Sequence, residues 1–79
     1  MKMNRELKLC IEERQAIIDK FEAYGDITKY ALAKAKKCIR HGNAIRASFY
    51  TEIATRCTAE RQGCVDDLDI VIKRLEELV

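Results

Sequence analysis

Apolar residues recur at threes and fours along most of the chain, the spacing of helices that bury one face. Over residues 4–24 the recurring positions are Leu7, Cys10, Ile11, Ile17, Ile18 and Phe21, with Asn4 placed to cap the start. Arg14 interrupts this stripe; a long cationic stem can cover apolar surface there while its charge reaches water. Gly25 suits the end of the segment and Asp26 the cap of the next. Over 27–40 the stripe of Tyr30, Ala31, Ala35, Cys38 and Ile39 consists mostly of small residues, which permit close helix approach. His41-Gly42-Asn43 then reads as a turn, because Gly tolerates positive φ past a helix end and Asn is a favoured N-cap. The His41 imidazole would meet the last carbonyls of the preceding helix.

A third segment, residues 44–61, places Ala47, Tyr50, Ala54 and Cys57 on one side and Ile45, Phe49 and Ile53 on a neighbouring one. So broad an apolar arc implies packing on two sides or a face held for a partner. Gln62-Gly63 reads as a short turn, with one continuous helix as the alternative, since a lone Gly costs only about 1 kcal/mol. Over 64–79, Val65, Leu68, Ile72, Leu75 and Val79 alternate threes and fours as a coiled-coil seam does. Its two heptads favour bundle packing over a zipper, while a dimer seam through these five residues stays open. The pattern predicts one all-α domain over residues 1–79, a small three- to four-helix bundle with a central helical hairpin and helices at about 4–24, 27–40, 44–61 and 64–79.

Composition strengthens the all-α expectation. The 79 residues include no Pro and three Gly, too few of the turn residues that hairpins, sandwiches and barrels require. A core of this size supplies only about 3–5 kcal/mol, so self-association or partner binding is expected. No stretch approaches the roughly 20 apolar residues of a membrane span, and the charges at Glu6 and Lys8 and again at Glu12, Glu13 and Arg14 leave no room for a signal-peptide apolar stretch. A cytoplasmic location without membrane contact follows as the expectation. The formal net charge of +2 hides a segregation: residues 27–46 carry six bases and no acid, whereas 65–79 carry two bases and five acids. Lys29, Lys34, Lys36, Lys37, Arg40 and Arg46 form the basic block.

Four cysteines would suggest a disulfide framework in a secreted chain, and without a secretory signal the sharper reading of them is a metal site. Cys38 and His41 are three apart and Cys57 and Cys64 seven apart, each pair on one helix face. Zinc sites usually bring their ligands in close Cys-x2-4-Cys knuckles, which are absent here, so Cys10, Cys38, Cys57 and Cys64 read as small hydrophobes with free thiols in a reducing compartment. Cys57 with His41 as base would lack an orienting third group. With one His, no Gly-rich phosphate loop and no nucleophile elbow, the chain reads as a non-enzyme without metal or cofactor. The carboxylates Glu12, Glu13, Asp66 and Asp67 fall on polar helix faces, where solvation is their ordinary role.

From Tyr30 to Cys57 the chain runs YALAKAKKCIRHGNAIRASFYTEIATRC, and its Gly42, Ala47, Tyr50 and Ala54 resemble a tetratricopeptide-type helical hairpin. Such units stack on neighbours because one alone cannot bury its apolar face. The same stretch is similar to the short proteins called AraC negative regulators, with Gly42-Asn43, Ala47, Tyr50 and Ala54 at the matching positions. Tyr50 stands where that family commonly has Trp, the segment before residue 27 is an extension, and the match covers about 28 residues. The resemblance implies a non-enzymatic protein that binds AraC-type transcription activators and blocks their dimerisation or DNA engagement.

The leading expectation is therefore a helical negative regulator acting by protein–protein contact, with Arg46, Phe49 and Tyr50 as partner-binding residues, since aromatic and Arg side chains carry most interface energy. Both aromatics filling a wide core arc is the structural alternative. A nucleic-acid-binding domain is the second class, with Lys34, Lys36, Lys37 and Arg40 on phosphates; the sequence pI of about 8.4 lies below the value above 9 expected of a dedicated binder. A small mobile-element or phage inhibitor of a host enzyme is the third.

Overall fold

The computed structural model describes residues 5–79 as an antiparallel hairpin of two long helices, α1 (Arg5–Arg40) and α2 (Ala44–Leu78). Asn4, the expected first cap, lies outside the described residues. The hairpin measures 62 × 17 × 11 Å, a rod one helix thick and two helices wide. Among the described residues no helix is long and apolar enough to cross a membrane.

The turn forms as its residues dictate. Gly42 takes φ +73° and its N–H donates to the Ile39 carbonyl at 3.0 Å, while the Asn43 N–H reaches the Cys38 carbonyl at 2.8 Å. These are the two crossed bonds of a Schellman motif, which ends α1 with its last carbonyls satisfied. Asn43 then caps α2, its side-chain oxygen accepting from the Arg46 N–H at 3.1 Å. The backbone has taken the cap role expected of the His41 imidazole, and His41 is left exposed.

Two helices stand where four segments were expected, because the interhelical seam crosses both expected breaks without losing its phase. Leu7, Cys10, Arg14, Ile17, Phe21, Tyr24, Thr28, Ala31, Ala35 and Cys38 alternate threes and fours along α1, and all but Arg14 are buried or half-buried. Arg14 is exposed, as a snorkelling side chain would be. Ala47, Tyr50, Ala54, Cys57, Arg61, Cys64, Leu68, Val71, Leu75 and Leu78 do the same along α2, each buried or half-buried. Continuous burial of this kind outweighs the roughly 1 kcal/mol that a helical Gly costs. Gly63 sits exposed inside α2 with nothing within 4 Å of a Cβ position, and the helix runs through it without a break.

Gly25 has a different role from the helix end expected of it. It is buried inside α1, and a Cβ there would lie 3.1 Å from Arg61 Nη2 and 3.2 Å from Arg61 Cζ. The absent side chain leaves the space in which Arg61 crosses the seam. The guanidinium lies 4.0 Å from the centroid of the Phe21 ring, and Nε donates to the Phe21 carbonyl at 3.3 Å. Cation–π attraction and a hydrogen bond hold this charge at mid-seam without a carboxylate.

The seam of residues 64–79 is also displaced from its expected register. Cys64 and Val71 are buried, with Leu68, Leu75 and Leu78 half-buried beside them, whereas Val65, Ile72 and Val79 stay exposed on the flank. Of the five residues considered for a dimer seam, Leu68 and Leu75 belong to the hairpin's own interior and the other three do not.

Candidate protein-binding site

The two flanks of the hairpin differ, and the turn end of one of them carries the aromatic and basic residues singled out above. Lys34, Lys37, Cys38 and His41 from the end of α1 and Asn43, Arg46 and Tyr50 from the turn and start of α2 line an open cleft of about 300 Å³. The Schellman turn sets this geometry by bringing the last turn of α1 beside the first two turns of α2. No carboxylate lines the cleft, whose walls present the cations of Lys34, Lys37 and Arg46 with the Tyr50 phenol beside Cys38, His41 and Asn43.

Aromatic groups border it. Phe49 is 57% exposed and meets Tyr50 edge to face, with ring centroids 5.4 Å apart. Tyr50 is half-buried at a seam position and also lines the cleft. The two aromatics thus divide: Tyr50 takes a core position and Phe49 projects to solvent. Lys34 Nζ stands 5.6 Å from the centroid of the Tyr30 ring, itself 60% exposed. Tyr30, which the periodicity places in the small-residue stripe, lies one position outside the Ala31–Ala35 seam. Its exposure adds an aromatic group that the binding-residue expectation missed.

The basic block does not converge. Lys34, Lys37 and Arg46 meet at the cleft, while Lys36 and Arg40 line a separate hollow with Ile39. Bases fanned about the end of a helix in this way do not follow a single phosphate track, which asks for cations along one face.

The cysteines all fall on the seam, and all four are free thiols. Cys57 is buried about 20 Å along α2 from the turn, at 1.5 Å per residue, so His41 does not stand beside it. Among the described residues no group of three or more His, Cys, Asp or Glu side chains is arranged to hold a metal ion.

Comparison of the chain with protein-family models, with characterised proteins and with solved structures gives no match.

Proposed function

We propose that this chain is a non-enzymatic, cytoplasmic protein-binding regulator that engages an acidic surface of its partner through the turn end of the hairpin. The observation that carries this is the cleft walled by Lys34, Lys37, Arg46 and Tyr50 with no carboxylate among its lining, next to the exposed rings of Phe49 and Tyr30. Cations beside solvent-facing aromatics are the composition of protein–protein hot spots, where a desolvated ring supplies area and an Arg supplies bidentate contacts to carboxylates. An AraC-type transcription activator is the partner to test first, on the resemblance over residues 30–57, and the outcome of binding would be negative regulation of that activator.

The test is co-elution of the purified chain with AraC-type activators of the same genome after nuclease treatment. Arg46→Glu with Phe49→Ala is expected to abolish the complex while the helical circular dichroism stays unchanged, because both side chains are exposed. Retained binding by that variant removes the cleft from the interaction. Retention of DNA or RNA, lost when Lys34, Lys36, Lys37 and Arg40 become Gln and falling steeply between about 50 and 200 mM salt, would replace the protein partner with nucleic acid.

A further inference from the structure

The flank opposite the cleft carries a row of positions in α1 that recur every seven residues: Ile11, Ile18, Gly25, Leu32 and Ile39. Ile11, Leu32 and Ile39 are 41%, 45% and 65% exposed, and Ile18 is half-buried. The matching row of α2 is Thr51, Thr58, Val65, Ile72 and Val79. Ile18 and Val65 line one apolar hollow together with Phe21 and Leu68, which places the two rows side by side. The Glu13–Arg74 ion pair, at 3.4 Å, belongs to the cleft flank, alongside a hollow formed by Glu6, Leu9 and Cys10.

We infer that this flank is the interface of a homodimer in which two hairpins pack face to face with their turns at opposite ends, making an antiparallel four-helix bundle. Three observations select a second copy of the chain. The α1 row is self-complementary about Gly25. When it lies antiparallel against its own copy, Ile18 meets Leu32 and Ile11 meets Ile39, a large apolar side chain against another at each level, while at the two-fold axis the buried Gly25 of each copy stays covered by its own Arg61. Charge selects the same orientation: the turn end holds the six bases of residues 27–46 without an acid, and the free end holds the five acids of 65–79 against two bases. Antiparallel packing lays each basic end beside an acidic one, while parallel packing would juxtapose the two basic ends. The area also suffices, since a face 62 Å long and 17 Å wide offers on the order of 1,000 Å² per chain, above the roughly 800 Å² per partner of a stable interface. This inference is independent of the cleft, which faces the other way and stays open twice over in the dimer.

Native lysines test it on the unmodified chain. Lys8 and Lys36 lie on one helix, separated by about 42 Å at 1.5 Å per residue, beyond a short amine-reactive cross-linker. In the antiparallel dimer Lys36 of one copy lies level with Arg14 of the other, only about 9 Å along the axis from its Lys8 and within reach of the cross-linker. A mixture of isotopically light and heavy chains is expected to show twice the 9.1 kDa chain mass by light scattering and mixed light–heavy Lys8–Lys36 cross-links by mass spectrometry. Leu32→Glu with Ile39→Glu is expected to lose both signals. A monomer across the whole dilution series overturns the inference, as do a dimer linked Lys36 to Lys36 and a double variant that remains dimeric. Should the variant prove unfolded, the cross-link pattern of the unmodified chain still decides.

Discussion

The two halves of the hairpin pack by different means. Toward the turn the seam is closed by Ala31 and Ala35 against Ala47 and Ala54, all buried. Toward the free end it is filled by Ile17, Phe21, Leu68 and Leu75, none fully buried, around the buried Cys64 and Val71. Small side chains let two backbones come together and bury themselves completely, so the turn half needs nothing further to cover its seam. Large side chains need more room between two helices, and Ile17, Phe21, Leu68 and Leu75 keep part of their own surface in water. Exposed large apolar side chains remain at both ends, Ile11, Val65 and Ile72 toward the free end and Ile39, Ile45 and Phe49 toward the turn. Charge follows the same division, basic where alanines line the seam and acidic where larger side chains do.

The largest expected effect comes from a charge in the free-end half. Val71 is 2% exposed, and no buried polar group awaits a partner among the described residues. Val71→Asp would place an unpaired carboxylate in the seam at a cost on the order of 4 kcal/mol or more, enough to abolish the helical signal of a domain this small. Retained helicity would show that the free end does not hold the hairpin together.

Size changes sharpen the contrast at the next level. Ala54→Leu in the tight half is expected to destabilise by about 1–3 kcal/mol, since the approaching backbones leave no room for the added methylenes. Leu68→Ala in the free-end half should cost about 2 kcal/mol, at the low end for Leu because the side chain is only half removed from water. Urea titrations at one fixed chain concentration measure both; stabilisation by Ala54→Leu would contradict a tight turn half.

The smallest effects separate the two helical glycines. Gly63→Ala is expected to stabilise by roughly 0.5–1 kcal/mol, because a Cβ meets nothing there. Gly25→Ala should gain less or lose stability, since its Cβ would press on the Arg61 guanidinium at 3.1 Å. Adding Arg61→Ala to each variant checks the cause by a double-mutant cycle: coupling is expected with Gly25→Ala and none with Gly63→Ala.

Much of the site was legible before the fold was known. The Gly42-Asn43 turn, the Asn43 cap, the basic block and the exposure of Arg46 and Phe49 all follow from local chemistry and appear as expected. Tyr30 escaped notice because one residue separates it from Ala31, and helical periodicity alone gives a face about 100° wide without fixing its edge. The convergence of Lys34, Lys37 and Arg46 also depends on how far α2 is rotated against α1, a quantity that no single-helix pattern contains.

What the amino-acid order settled by itself is helix, turn and charge distribution, each governed by neighbours within four or five positions: the backbone bonds of helices, the φ of Gly42 and the side-chain cap of Asn43 are all local. Whether Gly25 and Gly63 end a helix, and whether Leu68 pairs with Val71 or with Ile72 along the seam, was decided only by the tertiary structure. Those outcomes rest on burial against a second helix and on the passage of Arg61 over Gly25 to the Phe21 ring, contacts between residues some forty positions apart. A glycine's helical cost is about 1 kcal/mol wherever it stands, but its compensation depends on what the fold lays across it.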